Sequence, residues 1–377
     1  MTDPDQTLPM LRETLRRFVE KEVVPQGHGW EEQGFVPREV LREMGKLGFL
    51  GLRYAEEFGG GAMDARATAL LAEELGRSTF SGFAITVLVH TDMASPHLVN
   101  AGSPEQIRKY LPRIVSGECI TAVAVTEPDA GSDVKSIRTS ARREGGDYVL
   151  RGSKMFITNG ALADVVFVAA KTEPAAGSRG ISMFIVEKGM KGFSVGRKLE
   201  KMGWRSSDTA ELVFDDCRVP AANLLGEENR GFYAIMKNFQ NERIAISAMA
   251  MGEAARAIEL TLEYVRTRKA FGAPLWDKQT IRQRLSMLAA KVEAGRQLVL
   301  HAAALDAQGR DCVKEVSMAK AYCAELLNDV VYDCLQFHGG FGYIKESAIE
   351  RMYRDARVQT IGGGATEVML EEVAKRL

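Results

Sequence analysis

Along residues 8–117 apolar side chains recur at helical spacing. Leu11, Leu15, Phe18 and Val19 form one stripe; Val40, Leu41, Met44 and Leu47 form another. Ser103-Pro104-Glu105-Gln106 predicts a helix start, with Ser as N-cap, Pro in the first helical position and Gln three residues after the cap. That segment ends near Gly117. From residue 119 to about 226 the pattern changes to short β-rich runs at 120–125, 148–150, 165–169, 181–186 and 212–214. Glu144-Gly145-Gly146-Asp147, Ala175-Ala176-Gly177-Ser178 and Asp215-Asp216 punctuate them. Runs this close, with no helical pattern between them, predict an antiparallel sandwich or barrel and not βαβ units. After Gly231 long helical periods return, at 232–268, 279–307, 313–337 and 347–353, joined by short Gly or Pro breaks. Such helices predict an antiparallel bundle. The expected architecture is α+β: an N-terminal helical domain (1–118), a middle antiparallel β-barrel or sandwich (119–228) and a C-terminal four-helix bundle (229–377).

Length agrees, since 377 residues exceed one compact core and suit two or three domains. With 49 basic residues against 50 acidic ones and no Lys/Arg stripe, nucleic acid is not an expected partner. The longest apolar run, 165–170, stops at Lys171 and is of strand length, so no membrane insertion is expected. The acidic start Met1-Thr2-Asp3-Pro4-Asp5 resembles neither a signal nor a transit peptide. Five cysteines lack a C-x-x-C pair, and Cys312, Cys323 and Cys334 lie eleven apart, on one helix face. Core packing and a reducing, cytoplasmic home follow. There is no G-x-G-x-x-G, H-E-x-x-H or G-x-S-x-G, and in the one P-loop-like spacing Phe232 stands where Lys is needed. With histidines only at 28, 90, 97, 301 and 338, no metal site is expected.

Five segments carry more. They are Val125-Thr126-Glu127-Pro128-Asp129-Ala130-Gly131-Ser132-Asp133; Gly152-Ser153-Lys154-Met155-Phe156-Ile157-Thr158-Asn159-Gly160; and Arg268-Lys269-Ala270-Phe271-Gly272 with Gln279. Gln336-Phe337-His338-Gly339-Gly340-Phe341-Gly342 follows, then Arg354-Asp355-Ala356-Arg357 leading into Ile361-Gly362-Gly363-Gly364-Ala365-Thr366-Glu367. In this order the set resembles the acyl-CoA dehydrogenase family. Asp208-Thr209-Ala210-Glu211-Leu212, Leu225-Gly226-Glu227-Glu228-Asn229 and Asn241-Glu242-Arg243 are similar to its long-chain members. The resemblance implies an FAD enzyme that desaturates a medium- or long-chain or branched acyl-CoA to the trans-2-enoyl-CoA. It also implies electron transfer to an electron-transfer flavoprotein, and a homotetramer built as a dimer of dimers.

That reaction needs a base, a polarised thioester and alignment with the flavin. In many relatives the base is a Glu in a Tyr-Glu-Gly-Thr turn, where this chain has Gly363. Long-chain and isovaleryl-type members carry it instead in a Glu-Arg pair on a bundle helix, which implies Glu242; taken alone, Glu242 is an ordinary surface or ion-paired glutamate. Facing an apolar tunnel, its pKa would rise toward what a base needs. The resemblance gives the Gly363 N–H the thioester oxygen, while Gly362-Gly363-Gly364 also reads as a C-cap and turn with Thr366 capping the last helix. By resemblance Val125, Thr126, Ser132, Phe156, Ile157 and Thr158 meet the flavin, with Phe156 where others have Trp; a plain strand is the alternative for 156–158. Arg268, Phe271, Gln279, Gln336, Gly339 and Gly340 would hold the FAD pyrophosphate and adenine across a subunit interface, with Thr366 and Glu367 also at the cofactor. Arg268 alternatively answers a helix dipole. Ser132, Phe239, Arg243 and Gly364 are expected at the substrate, and His338 is expected to be packed rather than catalytic. Competing readings keep the fold with another reaction (acyl-CoA oxidase, desulfinase or nitroalkane oxidase) or make the chain a non-catalytic acyl-CoA-binding flavoprotein.

Overall fold

The computed structural model describes residues 4–377; Met1-Thr2-Asp3 of the acidic start lie outside them. Seven α-helices come first: α1 (Pro4–Phe18), α2 (Gly27–Gln33), α3 (Arg38–Lys46), α4 (Ala65–Gly76), α5 (Ser81–Leu88), α6 (Ser95–Ala101) and α7 (Pro104–Val115). Leu15, Phe18, Val19, Val40, Leu41 and Met44 are buried as their spacing predicts. Leu47 is exposed, because α3 stops at Lys46 and leaves it at the C-cap. The Ser103 hydroxyl accepts from the Gln106 N–H (3.2 Å), and the Gln106 carbonyl oxygen accepts from the Ser103 N–H (2.9 Å), a complete capping box.

An eight-stranded sheet follows: β1 (Thr121–Ala124), β2 (Ser140–Glu144), β3 (Asp147–Thr158), β4 (Val165–Lys171), β5 (Ile181–Glu187), β6 (Phe193–Lys198), β7 (Thr209–Pro220) and β8 (Leu224–Leu225). The sheet is mixed rather than purely antiparallel. β1 pairs parallel with β4, and β2 touches β4 in parallel at Ser140 and Lys171. The intervening β2–β3 hairpin lets β4 return in the direction of β1. β2 and β6 escape sequence reading because their side chains are mostly solvated, so no apolar run marks them. Residues 165–170 form one apolar run because both faces of β4 are covered. Val166 and Val168 pack with Tyr148, Leu150 and Phe214 inside the sheet, and Phe167 and Ala169 pack against Leu98, Ile114 and Ile235 from helices.

The remaining chain is α8 (Gly231–Thr267), a hairpin of β9 (Lys269–Ala270) and β10 (Ala273–Pro274), α9 (Gln279–Ala307), α10 (Val313–His338), α11 (Ala348–Ala356) and α12 (Thr366–Ala374). Helices α8, α9 and α10 share one core with α4, in which Leu71 and Leu75 meet Met249, Met251, Val299 and Val330. Two glycines permit the α4–α8 crossing: a Cβ at Gly252 would lie 2.0 Å from the Glu73 carbonyl oxygen, and one at Gly76 2.3 Å from that of Met249. All five cysteines are free and buried. Among the described residues no helix is long and apolar enough to cross a membrane, and no His/Cys/Asp/Glu cluster suits a metal.

Candidate active site

The candidate site draws on three pieces of the chain. The first is the loop after β1. The Thr126 carbonyl accepts from the Met155 N–H (2.9 Å), which sets Val125 and Thr126 beside the end of β3. A buried ion pair fixes this loop. The Lys154 ammonium donates to Glu127 Oε1 (2.7 Å) and to the Val125 carbonyl (2.9 Å), and Glu127 also accepts from the Thr139 N–H (2.9 Å). Burial lowers the Lys154 pKa to about 8. Burial alone would raise the Glu127 carboxyl, but the adjacent ammonium and its hydrogen bonds bring it below its ordinary value. Nothing local in Gly152-Ser153-Lys154-Met155 marks Lys154 as a buried partner of Glu127, which lies 27 residues earlier in the chain.

The second piece is the bulged end of β3. Its register with β7 slips between Lys154 and Ile157, and Phe156 sits at φ +61° with 64% of its surface exposed. A bulky residue held left-handed and offered to solvent costs about 1–3 kcal/mol, and such strain is concentrated at functional positions. Ile157 is buried beneath it. The strand reading of 156–158 is right for the backbone, and the bulge is what turns the ring out.

The third piece is α8 with the glycine turn. Glu242 is half-buried, and burial raises its pKa to about 7 against the opposing effects of the Asn238 hydrogen bond and the Arg243 charge. One turn further on, Ile246 packs on Gly363, where a Cβ would lie 2.3 Å from Ile246 Cδ1. Gly363 (φ +66°) and Gly364 (φ +103°) are both left-handed. The turn is held from below by fully buried Lys320, whose ammonium donates to the carbonyls of Gln359 (2.7 Å) and Gly364. Burial and the Arg243 charge lower the Lys320 pKa to about 8. Arg243 is buried, stacks its guanidinium 5.5 Å from the Phe239 ring centre, and donates to Ser317 Oγ (3.3 Å). Thr366 does not cap the last helix: α12 begins at Thr366 after Ala365, and the Thr366 hydroxyl donates to Glu325 (2.9 Å). Ser132 and Glu367 are exposed near these elements in sequence.

The other six expected residues are elsewhere. Arg268 follows the end of α8, twenty-six residues beyond Glu242, or ~39 Å along the helix axis. Arg268, Phe271, Gln279, Gln336, Gly339 and Gly340 are all exposed. Phe271 and Gly272 form a two-residue hairpin turn with both φ positive, and Phe271 is 97% exposed. His338 is packed: its Nδ1 pairs with the Cys334 carbonyl (2.8 Å), its ring stacks 4.4 Å from that of Tyr264, and burial lowers its pKa.

Sequence models of the acyl-CoA dehydrogenase N-terminal, middle and C-terminal domains match residues 5–118, 122–217 and 229–377. The mouse protein named long-chain specific acyl-CoA dehydrogenase, mitochondrial, is 45% identical over 370 residues, covering 98% of this chain and 86% of that one. The chain belongs to the acyl-CoA dehydrogenase family. A crystal structure of acyl-CoA dehydrogenase from Geobacillus kaustophilus superposes with a TM-score of 0.94 at 41% identity, covering 98% and 97% of the two chains. A structure reported with the electron-transferring flavoprotein of Acidaminococcus fermentans superposes with a TM-score of 0.96 at 35% identity, covering 100% and 99%. The family is FAD-dependent, and its members are oxidoreductases acting on acyl-CoA. The residues present suit the cofactor: Phe156 is an exposed, strained aromatic, and Gly363 and Gly364 form a left-handed turn free of side chains.

Proposed function

We propose that the chain desaturates medium- or long-chain or branched acyl-CoA between Cα and Cβ, with Glu242 as the base. Glu242 carries the reading: its carboxyl is half-buried, has a pKa near 7, and stands one helical turn from the residue that packs on Gly363. Bound FAD supplies the acceptor for the Cβ hydride. Glu242 takes the Cα proton, and burial makes its carboxylate more basic than a solvated one. The Gly363 N–H, in a turn braced by Lys320, donates to the thioester oxygen and stabilises the charge that develops as the proton leaves. Val125, Thr126, Ser132, Phe156, Ile157, Thr158, Thr366 and Glu367 hold and orient the flavin. Ser132, Phe239, Arg243 and Gly364 border the substrate.

Arg268, Phe271, Gln279, Gln336, Gly339 and Gly340 complete the cofactor site of a second protomer, because they are too far from Glu242 to share one cofactor with it. The assembly is then a homotetramer built from dimers. Electrons pass to an electron-transfer flavoprotein. Domain limits at 118 and 228 fit the changes of element type, and five unpaired thiols fit a reducing, cytoplasmic setting. The test is the anaerobic flavin spectrum before and after hexadecanoyl-CoA. The band should bleach in the wild-type protein and remain in Glu242→Gln, whose amide cannot take the proton. Bleaching in Glu242→Gln would place the base elsewhere.

A further inference from the structure

Between α5 and α6 the helix widens into a π-type turn, Val89–Ala94. Such a turn inserts a residue and releases backbone carbonyls from the helical ladder. Side chains take them up. Ser95 Oγ donates to His90 O, Tyr54 Oη to Thr91 O (2.6 Å), Asn241 Nδ2 to Asp92 O (2.8 Å) and Asn238 Nδ2 to Met93 O (2.9 Å). Two of the four donors come from α8, and one of them also reaches the base. The buried Asn238 carboxamide donates to Glu242 Oε1 (2.9 Å) from one helical turn away.

We propose that Asn238 is a positioning residue for the base, its amide anchored on the Met93 carbonyl and aiming the Glu242 carboxylate. This rests on the reading of Glu242 given above. The anchor matters because an asparagine on α8 alone could rotate, whereas one fixed by a second, buried acceptor cannot do so without orphaning the Met93 carbonyl. A donor at Oε1 favours the ionised form, which is the form that accepts a proton. Of the other charges around Glu242, the Arg243 cation also favours its ionised form, but the hydrogen bonds of Arg243, Asp92 and Lys320 are all made to other partners. Arg243, on its own helix, points to Ser317 and Phe239. Asp92, on the wide turn, accepts from Thr68, Thr91 and Asn241. Lys320, on α10, is bound to the glycine-turn carbonyls.

The experiment is the pH dependence of kcat for the FAD-loaded enzyme with hexadecanoyl-CoA and a dye acceptor. It compares wild type, Asn238→Ala, Asn238→Asp and Asn241→Ala, with Glu242→Gln alongside. In Asn238→Ala the acid limb should move up by about one pH unit, with kcat about fivefold lower at pH 7 and largely recovered above pH 9. Asn238→Asp preserves size and should move the limb in the same direction, and it carries the test if the alanine variant does not load FAD. Asn241→Ala removes the neighbouring tie to the wide turn without touching Glu242 and should leave the limb in place. An unmoved limb in both Asn238 variants, or an equal movement in Asn241→Ala, overturns the proposal. Flavin bleaching by Glu242→Gln is a different failure, that of Glu242 as the base.

Discussion

A single carboxyl illustrates how the site stores free energy. The folded pKa of Glu242, about 7, lies above its ordinary value of 4.5, so the folded state holds this proton more tightly than the unfolded chain does. Its favourable contribution is complete below pH 4.5 and is lost as pH rises through 7. Glu242→Gln should therefore stabilise the protein at pH 8, by up to about 3 kcal/mol, and leave stability at pH 4 nearly unchanged. Thermal melts of the two holoproteins at both pH values check this; a lower Tm for the variant at pH 8 would contradict it. If Glu242 is the base, activity and stability oppose each other at this residue. The sequence pointed to Glu242 only through family likeness. Its neighbours Asn241 and Arg243 are polar, and its burial arises from distant segments of chain packed around α8.

Single elements carry much of the geometry. The β1 loop keeps its shape through Lys154 and Glu127, a pair that links the loop, β3 and the start of β2. Lys154→Met would leave a buried carboxylate unpaired, and a loss of about 3–5 kcal/mol is expected together with weaker FAD retention. Chemical denaturation of the apoprotein and flavin titration measure the two effects separately. At the start of α7, Ser103→Ala should cost about 1 kcal/mol. Gln106→Ala should cost about twice as much, because Gln106 Nε2 also donates to the carbonyls of Ala222 (2.8 Å) and Leu224 (2.9 Å). Equal costs in denaturant titrations would argue against that second role. The cap was legible in four consecutive residues. The tie from α7 to the β7–β8 connection joins residues more than a hundred positions apart, so no local pattern announces it.

At the scale of the molecule, the length of α8 separates Glu242 from Arg268 and the cofactor residues expected with it. Glu242 lies near one end, while Arg268 and the strained, solvent-facing Phe271 stand ~39 Å further along. If each end serves a different protomer's cofactor, Arg268→Ala should lose FAD retention, and Glu242→Gln should keep the flavin but lose turnover. Co-expressing the two variants should restore activity in about a quarter of the sites, since a mixed pair contains one site with both parts intact. No recovery would place both ends in separate roles within a single chain.

The sequence by itself determined the order helix, sheet, bundle and the helices at 279–307 and 313–338 nearly to the residue. These depend on periodicity, capping and turn residues within a few positions of one another. Tertiary structure decided the rest. The parallel pairing of β1 with β4, the solvated strands β2 and β6, the bulge that turns Phe156 outward and the Lys320 brace under the glycine turn all join residues far apart in the chain. So does the burial that makes Glu242 basic. A local pattern records which side chains could be buried, but the free energy of a charge depends on which neighbours exclude water from it, and only the packed chain supplies those neighbours.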